Sequence, residues 1–121
     1  MMDSRSLAIL AAQAADHRKG EEILVLDVRK ISTFCDYFVI VSGQAEPHLR
    51  AIRDEIEEEL TRHGVKPRRV DGFPLSQWVV MDYTDVVVHV FNSSLREFYS
   101  LERLWGDAVR VTWSPSEKAV S

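Results

Sequence analysis

The stretch 77–91 constrains this chain more than any other. Two apolar runs, Trp78-Val79-Val80-Met81-Asp82-Tyr83 and Val86-Val87-Val88-His89-Val90-Phe91, are separated only by Thr84-Asp85. β-Branched and aromatic residues favour strands, and strands joined this closely must run antiparallel. With Thr84 and Asp85 as the loop, Tyr83 faces Val86, Met81 faces Val88 and Val79 faces Val90. Side chains alternate along a strand, so these residues share one apolar face suited to a core. The opposite face pairs Trp78 with Phe91, Val80 with His89, and Asp82 with Val87. A second buried layer disfavours Asp82 there, and open water disfavours Trp78 and Phe91. Aromatic rings beside a few polar anchors are typical of partner-binding patches. The competing reading is that a C-terminal helix covers this face and buries Trp78. Thr-Asp also lacks the glycine that a two-residue loop prefers, and a slip of one residue would exchange the two faces.

Around this hairpin the chain reads as alternating elements. Leu7, Leu10, Ala11, Ala14 and Arg18 recur at helical spacing and predict an amphipathic helix over 6–19, with Gly20 as its left-handed stop. Residues 7–14 also resemble a signal peptide, but Asp3 sits where positive charge should dominate and Gln13 breaks the apolar run. Residues 22–29 and 37–41 read as buried strands. Leu49, Ile52, Ile56 and Leu60 form one stripe of a helix over 47–63 that ends at Gly64. On its solvated side, Arg50 with Asp54 and Arg53 with Glu57 are spaced to pair. Residues 65–70 read as a short strand that Pro67 either places at an edge or makes irregular. Ser93 or Ser94 can cap a helix reaching Gly106, and residues 109–113 read as a last short strand or an extended packed tail. The expected fold class is therefore α/β, a mixed sheet of about five strands with flanking helices. It forms a single domain over 1–113, followed by a flexible tail over 114–121.

Composition narrows the function classes. The chain has 121 residues, 45% hydrophobic and 28% charged, enough for one core without staples. A formal net charge of -4 argues against holding nucleic acid by neutralising phosphates and favours docking on something basic. The single cysteine, Cys35, can form no internal disulfide and reads as a small apolar side chain in a reducing compartment. No run approaches the ~20 apolar residues of a membrane span. His17, His48, His63 and His89 show no zinc-ligand spacing, and no phosphate loop or nucleophile elbow is present. The strongest enzyme candidate is Ser42-Gly43, at a strand end before a helix, a place that can meet phosphate. The paired carboxylates a nucleotidyltransferase needs for magnesium do not follow it, because the acids from Asp54 to Glu59 lie on the amphipathic helix. The reading is of no catalytic residue, no metal site and no cofactor.

Three blocks carry a resemblance to a known family. They are Val25-Leu26-Asp27-Val28-Arg29 with Phe34 and Asp36-Tyr37-Phe38-Val39-Ile40; the hairpin itself; and Arg96-Glu97-Phe98-Tyr99 with Leu101-Glu102-Arg103-Leu104-Trp105-Gly106-Asp107-Ala108. Together they resemble the ribosomal silencing factor (Iojap-like) family from about Leu7 to Ala108. The resemblance implies a nucleotidyltransferase-like fold without the catalytic set, and a cytoplasmic protein that is not an enzyme. It implies binding to the large-subunit ribosomal protein uL14, a steric block to subunit joining, and translational repression under nutrient limitation. It implies little direct nucleic-acid contact and no membrane association; some relatives form homodimers. Organelle relatives act in large-subunit assembly, which is the alternative function, with a divergent nucleotidyltransferase as the remaining one. Carried over to matching positions, the resemblance points to Trp78, Asp82, His89, Arg96, Glu97 and Tyr99 as partner-binding residues. Alternation adds Val80 and Phe91 as the apolar surround of Trp78. Two departures stand out: Thr84 replaces a frequent glycine, and Ala45-Glu46-Pro47 replaces a serine-containing helix start, so Glu46 or the Gln44 side chain is expected to cap.

Overall fold

The computed structural model describes residues 2–72, 77–93 and 108–114. In chain order these form α1 (Ser4–His17), β1 (Glu21–Asp27), β2 (Tyr37–Gly43), α2 (Glu46–Arg62), β3 (Arg69–Asp71), β4 (Trp78–Asp82), β5 (Val86–Asn92) and β6 (Val109–Val111). The strands make one sheet in the order β3-β4-β5-β2-β1-β6. Among the described strands β2 and β5 are the parallel neighbours, joined through α2, β3 and β4, and the other neighbours are antiparallel. The expected mixed α/β sheet is present, and residues 109–111 resolve into a sixth strand on β1.

Both helices pack on one face of the sheet. Leu7, Ala11, Ala14 and Ala15 of α1 and Leu49, Ile52, Ile56 and Leu60 of α2 meet Val25, Val39, Val41, Val79, Met81, Val88 and Val90. The alanine face of α1 lets that helix sit close to the sheet. Asp3 caps it, accepting from the Ser6 N–H at 2.7 Å, which starts the helix at Ser4 rather than at Ser6. No helix among the described residues is long and apolar enough to cross a membrane.

Three local expectations are corrected. Gly20 is not the left-handed residue after α1; Lys19 is, with φ 59°. Gly20 answers to space instead, since a Cβ there would lie 2.7 Å from Val41 Cγ1 and 3.0 Å from the Ala15 carbonyl oxygen. Neither Glu46 nor the Gln44 side chain caps α2: Ala45 holds the cap position without a side-chain bond, and Pro47 fills the first turn. Arg50 pairs with Glu46 at 2.8 Å rather than with Asp54, while Arg53 does reach Glu57 at 3.7 Å. The helix expected to end at Gly106 lies outside the described residues apart from its first residue, Ser93. The Ser93 hydroxyl donates to the Gly43 carbonyl at 3.0 Å.

Candidate functional site

The face of the sheet away from α1 and α2 carries the candidate site. Its register is that expected from alternation: Trp78 opposite Phe91, Val80 opposite His89 and Asp82 opposite Val87. The turn closes with Tyr83 N–H donating to the Val86 carbonyl at 2.9 Å, and Thr84 takes a positive φ of 74°. Thr84 thus adopts the conformation that glycine favours, at a steric cost for a β-branched residue.

An aromatic cluster occupies this face. Trp78 lies on Phe91, with ring centroids 4.8 Å apart. His89 is stacked parallel to Phe91 at 5.8 Å and meets Phe38 of β2 edge-on at 5.2 Å. The Trp78 indole N–H donates to His89 Nδ1 at 3.2 Å. Trp78 keeps 38% of its surface exposed, whereas His89 keeps 8% and Phe91 none. His89 and Phe91 thus form the bed on which Trp78 sits, and they are buried rather than exposed. Beside them Ile40, Leu26, Val28 and Cys35 make a second, smaller apolar cluster with Phe91. Burial pushes the Cys35 thiol pKa up, which keeps it an unreactive apolar group.

Electrostatics at the site centre on Asp82. Its Oδ1 accepts from the Thr84 N–H at 2.7 Å and its Oδ2 from Arg68 at 2.7 Å. Partial burial disfavours the charge, but these donors outweigh it and hold the carboxyl below its usual range. Asp82 is therefore an acid already sharing its charge with Arg68, not an open one. Val80 is partly buried between Trp78 and Asp82 along β4. Arg96, Glu97 and Tyr99 lie outside the described residues.

Two groups on this side were not singled out as site residues. Phe38 and Ile40 join the face because β2 lies beside β5, with Phe38 aligned to Val87 and Ile40 to His89. Their alternation is legible in sequence, but which strand lies next to them is not. Arg68 reaches Asp82 across the edge strand pair, and the only advance signal was two arginines following Pro67. Phe34, 90% exposed, stands on the β1–β2 connection, which is tied to the hairpin turn by Asp36 N–H donating to the Asp85 carbonyl at 2.8 Å.

The place where an enzyme would meet phosphate is filled from within. Ser42 is buried, and a Cβ on Gly43 would lie 2.6 Å from Leu49 Cδ2. A register shift in β1, with Glu22 at φ 47°, brings the Glu21 carboxylate beside this turn. Gln44 Nε2 donates to Glu21 Oε2 at 2.7 Å, and the Ser93 hydroxyl lies 3.4 Å from Oε1. The Gln44 N–H donates to His48 Nδ1 at 3.0 Å, while His48 Nε2 lies 2.8 Å from the Arg18 carbonyl oxygen. A carboxylate and an imidazole thus take up the donors a phosphate would use. Among the described residues no group of three His, Cys, Asp or Glu side chains is arranged to hold a metal ion.

Known proteins are similar to this chain in sequence and in fold. A family model described as "Ribosomal silencing factor during starvation" matches residues 1–121. The ribosomal silencing factor of Bacillus subtilis is 41% identical over 107 residues, covering 88% of this chain and 91% of that protein. The chloroplastic protein Iojap of Zea mays is 32% identical over 106 residues, 88% of this chain but 46% of its own length. The crystal structure of a Chromobacterium violaceum protein superposes with a TM-score of 0.83 at 30% identity, covering 87% of this chain and 88% of that one. One from Bacillus halodurans gives 0.79 at 35% identity, covering 90% and 99%. On the full-length family match and the agreement in fold, this chain belongs to the ribosomal silencing factor family.

Proposed function

We propose that this chain acts in the cytoplasm by docking on the large ribosomal subunit through ribosomal protein uL14. Bound there, it occupies space the small subunit needs, so subunits fail to join and translation slows when nutrients are limiting. The mechanism is steric competition, with no bond made or broken, and occupancy depends on affinity and concentration alone. No cofactor takes part, direct contact with ribosomal RNA is minor, and any homodimer must leave the hairpin face free.

The observation that carries this reading is the half-exposed Trp78 on a packed aromatic bed, in a chain of this family. An indole held at an otherwise apolar face, with a charged rim at Asp82 and Arg68, has the make-up of an interface hot spot. The filled pocket at Ser42-Gly43 favours binding over nucleotidyl transfer. Adding nucleotide with magnesium should therefore give neither a thermal shift nor turnover.

Co-sedimentation with isolated large subunits tests the docking. Trp78→Ala should cost about 2–4 kcal/mol of binding. Asp82→Asn keeps an oxygen for the Thr84 N–H and should weaken binding less. Equal affinity for all three proteins, with unchanged melting temperatures, would remove this face from the account. A deletion strain that accumulates immature large subunits in rich medium would instead favour a role in subunit assembly.

A further inference from the structure

We infer that His89 is a positioning residue: it fixes the Trp78 indole so that only the ring's carbon surface is offered to the partner. This rests on the docking reading above and goes beyond it by assigning His89 a task without partner contact.

Three observations carry the inference. His89 is almost wholly enclosed, so it cannot itself supply contact area. Its ring is held on two sides, parallel to Phe91 of its own strand and edge-on to Phe38 of the neighbouring β2, so its orientation is fixed from two directions. Its Nδ1 lies 3.2 Å from the indole Nε1 of Trp78. Indole nitrogen only donates, so Nδ1 must be the acceptor and the imidazole is neutral with its proton on Nε2. Nε1 is the one polar side-chain atom of tryptophan, and here it is turned toward the protein. What Trp78 shows outward is carbon, which suits an apolar cavity on the partner rather than a carbonyl acceptor.

The bond from Nε1 to His89 gives the half-exposed indole a fixed polar direction before any partner arrives. Freezing it in advance removes an ordering cost that binding would otherwise meet. The tilted ring contact with Phe91, at 41° between planes, is apolar and has no polar direction of its own. The hydrogen bond supplies that direction.

His89→Phe and His89→Asn separate the two contributions. Phenylalanine keeps a ring on Phe91 and Phe38 but accepts nothing. Asparagine loses the ring but puts Oδ1 close to where Nδ1 was. Affinity for isolated large subunits should fall roughly three- to tenfold in His89→Phe. The Trp78 indole N–H resonance, assigned by its loss in Trp78→Phe, should move upfield in His89→Phe and stay near its wild-type position in His89→Asn. His89→Asn should also bind within about threefold of wild type. In a Trp78→Ala background, His89→Phe should cost nothing further. Wild-type binding by His89→Phe, or the same added loss without Trp78, overturns the inference and leaves the docking reading standing. So does a His89→Asn variant as weak as Trp78→Ala, should His89→Phe not fold. If Trp78→Ala itself binds like wild type, the docking reading falls and takes this inference with it.

Discussion

Buried His89 has a consequence for stability. Burial pushes its pKa from 6.5 down to about 4, so the folded chain keeps it neutral where an unfolded chain would take up a proton. Between those values the unfolded state binds more protons, and stability must fall as pH falls. The loss begins near pH 6.5, is complete below about pH 4, and amounts to about 3 kcal/mol. Denaturant melts at pH 7 and pH 4.5 check this: His89→Phe should lose clearly less stability over that interval than wild type. Equal losses would mean that His89 gains its proton in the folded state. Asp82, whose carboxyl is held below its usual range, adds stability that is present at neutral pH and disappears only at still lower pH. At this scale the sequence was a partial guide. Alternation put His89, Phe91 and Trp78 on one face, but could not tell which rings form the bed and which the surface. That depends on Phe38, delivered by a neighbouring strand more than forty positions away in the chain. Gly20 shows the same limit: a glycine after a helix reads as a left-handed stop, yet here the close pass of Val41 requires it.

The β4–β5 hairpin is the element on which the site depends. Its register was legible from taking Thr84-Asp85 as the loop, and the pairing of Trp78 with Phe91 and of Asp82 with Val87 shows no one-residue slip. What could not be read was how Thr84 would be accommodated. It takes φ 74° and is held by its N–H donating to Asp82 Oδ1. Replacing Thr84 by glycine keeps that N–H and relieves the clash of the β-branched side chain. The expected gain is about 1 kcal/mol, a rise of roughly 4 °C in melting temperature, with binding to large subunits unchanged. A lower melting temperature would show that the threonine side chain contributes more than its backbone strain costs. β1 was less legible. Its register shift between Glu21 and Leu24 has no signature in composition, yet it carries the Glu21 carboxylate to the Ser42-Gly43 turn. At the start of α2, Ala45 holds the cap position without a side-chain bond, and His48 accepts from the Gln44 N–H just before it.

The whole molecule divides its sheet between two tasks. One face is packed by α1 and α2 and holds the larger core. The other holds a small cluster around Phe91 and Ile40 and keeps Trp78 half-exposed at β4. The mixed α/β class was readable from the order of periodic segments. The strand order was not, because it is set by the single parallel pairing of β2 with β5, a long-range contact. On the proposed reading the chain acts by standing in the way of the small subunit, so its effect should follow its occupancy of the large subunit. The most direct test mixes purified small and large subunits with the chain and follows joined ribosomes by sedimentation. Wild type should shift joined ribosomes to free subunits in proportion to bound chain, and Trp78→Ala at the same concentration should leave them joined. Full dissociation by Trp78→Ala, with its fold intact, would contradict the account.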